Sequence, residues 1–202
     1  MRAISIEKLR IKLASRMAVR LREAGTRRAA VLVTLVGGDD DLRLLCFERT
    51  HEVMEHKGEI CFPGGSIEPH DTDAVQAALR EAHEEMGVPP SLVEVLGTLD
   101  DVHTAVSNYV ITPVVGHLGR MPQLVLDPLE VARPVIPSVE ELRRPGVAGV
   151  EWREWRGTQR EIYYYHVEGG RIWGATGRIL HNLLVLWFEE AAVSKQRRGQ
   201  SD

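Results

Sequence analysis

Three glutamates, Glu81, Glu84 and Glu85, stand three and four residues apart within a stretch rich in helix formers. On an α-helix, at about 100° per residue, they gather on one side, while Val75, Leu79, Ala82 and Met86 gather on the opposite one. Like charges placed this way repel each other, so the helix gains nothing from them by itself. A divalent cation turns that repulsion into binding. Mg²⁺ in particular takes carboxylate oxygens together with water and substrate phosphates. The chemistry open to this pattern is metal-assisted displacement at phosphorus; the reading that needs no function is a solvated acidic face.

The glutamates belong to a longer pattern. Gly65-Ser66-Ile67-Glu68-Pro69-His70-Asp71 precedes Arg80-Glu81-Ala82-His83-Glu84-Glu85-Met86-Gly87-Val88. Together they resemble the Nudix box, a glycine loop followed by a helix of the form R-E-x-x-E-E-x-G. Gly65, Arg80, Glu81, Glu84, Glu85 and Gly87 occupy its fixed positions. Asp71 stands where the box usually has glutamate, and its gap to Arg80 is one residue longer than the commonest form. The coenzyme A pyrophosphatase branch shows a similar Asp and gap. That branch also carries an upstream pattern, which Arg49, Gly58 and Phe62-Pro63-Gly64-Gly65 match in spacing. Met54 replaces its arginine, and Cys46, Phe47 and Thr50 replace its usual Leu, Thr and Ser or Ala. Stretches 97–104, 109–115, 130–133 and 171–176 are similar to the same branch, so the likeness runs over residues 28–190.

The resemblance implies a Nudix α/β/α sandwich with a mixed β-sheet. It also implies Mg²⁺- or Mn²⁺-dependent hydrolysis of a nucleoside diphosphate linked to another group. The branch implies coenzyme A or acyl-coenzyme A, cleaved to 3′,5′-ADP and (acyl)phosphopantetheine. ADP-ribose or a dinucleotide is the alternative substrate, and a non-catalytic nucleotide-binding regulator the alternative of another class. Glu81, Glu84 and Glu85 become metal ligands, joined by the Gly65 carbonyl, with Arg80 orienting a helix glutamate. Glu81 ranks first as general base and Glu130 second. Arg49, His56, Lys57 and Gly64 become substrate-loop contacts. His103 reads as a phosphate contact or a hydrogen-bonded structural histidine. Trp173 reads as core or as a stacking partner for a base.

These residues need elements to hold them. The spacing predicts a helix over 72–86, ended by Gly87 with Pro89 and Pro90 behind it. Strands are expected at 29–36, 42–48, 60–62, 92–99, 109–115, 131–136, 150–155 and 162–167, with a capped short helix at 138–144 and a closing helix over 175–193. Ile6, Leu9, Leu13, Met17 and Leu21 draw an apolar stripe through a basic start. Residues 1–28 are therefore read as an additional N-terminal amphipathic helix, 29–194 as the Nudix domain and 195–202 as a polar tail. The basic helix packs on the body or on a second subunit, which would make a homodimer. A membrane-surface arm, a collar for an anionic substrate and a transit peptide are its other readings.

Composition narrows the classes. Of 202 residues, 25 are Lys or Arg and 29 are Asp or Glu, a formal net charge of −4. A mildly acidic chain is poorly suited to displacing counterions from nucleic acid, so no nucleic-acid partner is expected. No apolar run reaches the roughly 18 residues that span a bilayer. Two cysteines, Cys46 and Cys61, make no disulfide framework. No signal peptide is expected, because an apolar h-region is missing. The expectation is a cytoplasmic enzyme acting on a small nucleotide substrate.

Overall fold

Strand β1 (Arg27–Val36) is apolar at nearly every position because both its faces are covered. The computed structural model describes residues 4–51, 57–104, 107–155 and 157–188. On one side β1 pairs in parallel with β7 (Tyr109–Leu118), from Arg27↔Tyr109 to Val36↔Leu118. Its other edge is shared. Thr34–Val36 pair with β2 (Arg43–Arg49), and Ala29–Val31 pair with the short β4 (Gly64–Ser66). Strands β3 (Ile60–Cys61) and β8 (Val131–Val135) flank β2; β5 (Glu94–Thr98) and β6 (Val102–Thr104) flank β7. One parallel pair among antiparallel ones makes the sheet mixed, as the sequence predicts.

Helix α2 (Ala74–Met86) covers one face of the sheet. Ala77, Ala78, Ala82 and Met86 pack there with Ala30, Leu32, Leu45, Phe47 and Val114. Helices α1 (Ile6–Ala14) and α4 (Gly174–Phe188) cover the other, placing Leu9, Leu13, Ile179, Leu180 and Leu183 against Val33, Leu35, Leu44 and Val115. After the short α3 (Val139–Leu142), β9 (Ala148–Trp155), β10 (Thr158–Val167) and β11 (Gly170–Trp173) form a second, antiparallel sheet. Its Tyr165, Val167 and Ile172 join the α4 side of the core. No helix among the described residues is long and apolar enough to cross a membrane. Cys46 and Cys61 are both free.

Besides the short strands β4 and β6, which the sequence does not predict, three elements differ from expectation. The N-terminal helix covers Ile6–Ala14 rather than most of 1–28, and Met17 is 95% exposed. Beyond Ser15 the chain leaves the helix for irregular backbone, because its polar groups find better partners on the body. Arg16 pairs with Asp100, and Asp100 accepts from the Val19 amide at 2.7 Å. Asp101 accepts from the Leu21 amide at 3.0 Å and from Arg20 and Arg28, each at 3.2 Å. A helix would have spent those backbone amides internally. The second difference is Trp173, which ends β11 instead of opening the last helix. Gly174, at φ 64°, makes the turn into α4. The third is the face of α2: Glu85 is buried with the alanines, not solvated beside Glu84.

Candidate active site

The site is built where β1 splits its edge between β2 and β4. Phe62 and Pro63 are buried, and the Pro63 carbonyl accepts from the Leu32 amide at 2.8 Å. Gly64 then lies so close to β1 that an added Cβ would sit 2.6 Å from Val31 Cα. An added Cβ on Gly65 would sit 2.5 Å from Glu81 Oε1. The two glycines thus let the strand approach β1 on one side and the helix carboxylates on the other. Helix α2 starts at Asp73, whose side chain accepts from the Gln76 amide at 2.8 Å. It stops at Gly87, in the left-handed region at φ 69°. Alanines at 77, 78 and 82 bring its axis close to the sheet and carry Glu85 inward.

Arg80 lies on the outer rim of this groove. Its guanidinium donates to both oxygens of Asp71, at 3.1 and 3.0 Å, and to the Ser66 carbonyl at 3.1 Å. It also donates to Glu81 Oε1 and Glu84 Oε2, each at 2.9 Å. Asp71 has no exposed side-chain surface, and its paired guanidinium holds its carboxyl below the usual range. Arg80 therefore ties the glycine loop to two helix glutamates. Glu84 is 56% exposed, whereas Glu81 is largely covered.

The inner end holds Glu85, only 3% exposed. One of its oxygens accepts from the Gly64 amide at 2.9 Å; the other lies 3.6 Å from Arg49. Arg49 also donates to Glu130 Oε2 at 2.8 Å. Glu130 is delivered by the segment crossing the end of α2, where the Asp127 amide donates to the Glu85 carbonyl at 2.9 Å. Thr50 closes that junction, its amide donating to the Glu130 carbonyl at 2.9 Å. Burial pushes the Glu85 carboxyl up to about 9, opposed by the Gly64 amide and Arg49 and reinforced by Glu130 and Glu81. Burial raises Glu81 as well, with Arg80 opposing. Cys61 lies against Arg49, and burial pushes its thiol up to about 12, so it faces the guanidinium as a neutral group.

Glu81, Glu84, Glu85, Gly64, Gly65, Arg80, Arg49 and Glu130 thus line one groove. Lys57 is exposed in the turn before β3. His56 and Met54 lie outside the described residues. His103 is on β6, with Nδ1 3.4 Å from Glu23, a partner on the N-terminal arm. Trp173 stands near the guanidinia of Arg153 and Arg171, at 5.5 and 5.9 Å from its ring centroid. Of the three adjacent tyrosines, Tyr165 is core while Tyr163 stacks on His181. Two participants carry no role in the sequence reading: Asp71 as the anchor of Arg80, and Cys61 beside Arg49. The buried Asp–Arg pairing had only one sequence signal, an acid at the end of the glycine loop.

Among the described residues, no three His, Cys, Asp or Glu side chains already converge as a cage for a metal ion. The donor chemistry nonetheless suits a hard divalent cation. Glu81 and Glu85 are carboxylates whose charged forms burial disfavours; Glu81 adds to the cost at Glu85, and Glu84 and Glu130 add to it at Glu81. Such charges persist when paired or bound to metal. Gly65 has no Cβ to hold the Glu81 carboxylate away from the loop backbone, which keeps its carbonyl within the same cluster.

A family model described as the NUDIX domain matches residues 26–118. An uncharacterized Nudix hydrolase NudL of Photorhabdus laumondii is 35% identical over 158 residues, covering 78% of this chain and 83% of that protein. The mitochondrial Nudix hydrolase 15 of Arabidopsis thaliana is 37% identical over 161 residues, covering 76% of this chain but 56% of that longer protein. The crystal structure of a MutT/nudix family protein from Enterococcus faecalis shares the fold, with a TM-score of 0.53 at 16% identity over 92% of this chain and 68% of that one. Identity at this level across most of a relative's length leaves one assignment: the chain belongs to the Nudix hydrolase family, whose members act on pyrophosphate linkages.

Proposed function

We propose that this protein is a Mg²⁺- or Mn²⁺-dependent pyrophosphohydrolase acting on coenzyme A or acyl-coenzyme A. The products would be 3′,5′-ADP and (acyl)phosphopantetheine. The observation that carries the hydrolytic part is buried Glu85 beside half-buried Glu81, with Gly65 packed against the Glu81 carboxylate, an arrangement costly without a cation. Glu81, Glu84 and Glu85, with the Gly65 carbonyl, would hold the ions. When bound, such ions supply neutralising charge for the diphosphate and a lowered pKa for attacking water.

The chain's own residues do the rest. Arg80, fixed by Asp71 and the Ser66 carbonyl, positions Glu81 and Glu84 through charge-assisted hydrogen bonds. Glu81 keeps Oε2 free of Arg80 and accepts the proton of the attacking water there; Glu130 is the second choice for that role. Arg49 and Lys57 bind phosphate oxygens, His56 joins them from the substrate loop, and the Gly64 backbone borders the diphosphate.

The coenzyme A assignment is supported by the pattern joining Arg49 and Gly58 to Phe62-Pro63-Gly64-Gly65. A product-resolved panel of coenzyme A, dephospho-coenzyme A, ADP-ribose and a dinucleoside polyphosphate tests it. Coenzyme A should give the highest kcat/KM, with release of 3′,5′-ADP. Preference for ADP-ribose or the dinucleotide would overturn the substrate assignment, and absence of any hydrolysis would favour a binding regulator.

A further inference from the structure

Two arginines touch the carboxylates of this groove, and they are held differently. Arg80 is pinned from behind: a bidentate pair with covered Asp71 and a bond to the Ser66 carbonyl fix it whatever the helix glutamates do. Among the described residues, Arg49 has no such anchor. Its charged partners are Glu85 at 3.6 Å and Glu130 at 2.8 Å, with a neutral thiol and the Phe47 ring, 5.8 Å to its centroid, alongside. Among the described residues it is the one cation in ion-pair contact with either carboxylate. Its side chain is 21% exposed, at the mouth of the groove, while the Glu85 side chain behind it is 4% exposed.

We propose that Arg49 is a stand-in cation. It pairs with Glu130 and occupies the cation position over Glu85 until a divalent ion and a diphosphate arrive together, and is then released to a phosphate oxygen. The inference rests on the metal-site reading above. A divalent ion approaching Glu85 alone meets a like charge in a poorly solvated groove, where charges are weakly screened. It must displace Arg49 and leave that guanidinium without an anion. A diphosphate supplies the missing partner, since a guanidinium fork matches phosphate oxygens as well as it matches a carboxylate. Metal and substrate therefore bind more tightly together than apart, and linkage makes the effect reciprocal. Arg80 does not make this exchange, because Asp71 retains it.

The test is Mn²⁺ affinity, by calorimetry or electron paramagnetic resonance, with and without α,β-methylene-ADP, a non-hydrolysable nucleoside diphosphate. Without the nucleotide, Arg49→Gln should bind Mn²⁺ about three- to tenfold more tightly than the wild type, the size of one removed competing charge. The tightening that the nucleotide gives the wild type should shrink by a similar factor. Equal or weaker Mn²⁺ binding by Arg49→Gln, or undiminished coupling, would overturn the proposal. If circular dichroism shows that Arg49→Gln does not fold, Arg49→Lys carries the test. Its compact charge cannot span both carboxylates, so Mn²⁺ should bind about twofold or more tighter than in wild type, and equal or weaker binding overturns the idea. Glu85→Gln separates the two levels. Mn²⁺ binding indifferent to that change sinks the metal-site reading itself, whereas loss of Mn²⁺ there with no gain in the Arg49 variants sinks only the stand-in.

Discussion

Glu85 concentrates the cost of the groove in a single side chain. Its carboxyl is raised from an ordinary 4.5 to about 9, so between those values the folded protein holds a proton that the unfolded chain has lost. Stability is then fully present below about pH 4.5 and falls as pH rises through the folded value near 9. In metal-free protein, Glu85→Gln should remove this slope: thermal unfolding from about pH 5 to about pH 9 should show the wild type losing Tm relative to the variant. Parallel profiles would remove Glu85 as the source. Divalent ion should flatten the wild-type profile and leave that of the variant unchanged. The same substitution is expected to abolish turnover, so stability and activity trade against each other at one atom pair.

At the scale of elements, the glycine loop and α2 act as one unit, and the two glycines fail differently when filled. A Cβ on Gly64 meets the backbone of Ala30 and Val31, which cannot move, so Gly64→Ala should cost about 1–3 kcal/mol or more in urea unfolding. A Cβ on Gly65 meets the carboxylate of Glu81, the far end of a flexible side chain. Gly65→Ala should therefore fold nearly normally while losing activity by displacing Glu81. Equal effects of both on stability would contradict this division. The limits of α2 were legible in the sequence because Gly87, Pro89 and Pro90 act locally. The burial of Glu85 was not, because helix periodicity sorts residues by polarity and assigns every glutamate to water. Three alanines rolled the helix toward the sheet, and a backbone amide on another strand stabilised what a wheel places outside. β11 was missed for a related reason: four residues between a turn and a helix carry too little alternation to stand out.

For the whole molecule, the basic start resolves into a strap. The stripe Ile6, Leu9 and Leu13 was legible and is buried. Met17 and Leu21 continued the period, yet Asp100 and Asp101, some eighty residues away in sequence, unwound that part of the predicted helix. No local pattern announces such a partner. Asp101 accepts from Arg20, Arg28, the Leu21 amide and Thr112 in one buried cluster. Asp101→Ala should cost about 1–3 kcal/mol by leaving those donors unpaired, while kcat on the best substrate stays within about twofold. A variant as stable as wild type would contradict the strap, and one that loses activity without losing stability would tie it to catalysis. The net charge of −4 fits the same picture: an acidic protein accepts a polyanionic substrate when cations stand between them.

Hydrolysis of coenzyme A by chelator-treated wild type and Glu85→Gln, titrated with Mg²⁺ or Mn²⁺ and followed by release of 3′,5′-ADP, decides whether Glu85 centres a metal-dependent hydrolase. The wild type should be silent with chelator and recover on metal addition. Glu85→Gln, folded by circular dichroism, should remain about 100-fold slower or worse at every metal concentration. Chelator-resistant turnover, or wild-type rates in Glu85→Gln, would contradict a metal-dependent hydrolase centred on this buried carboxylate.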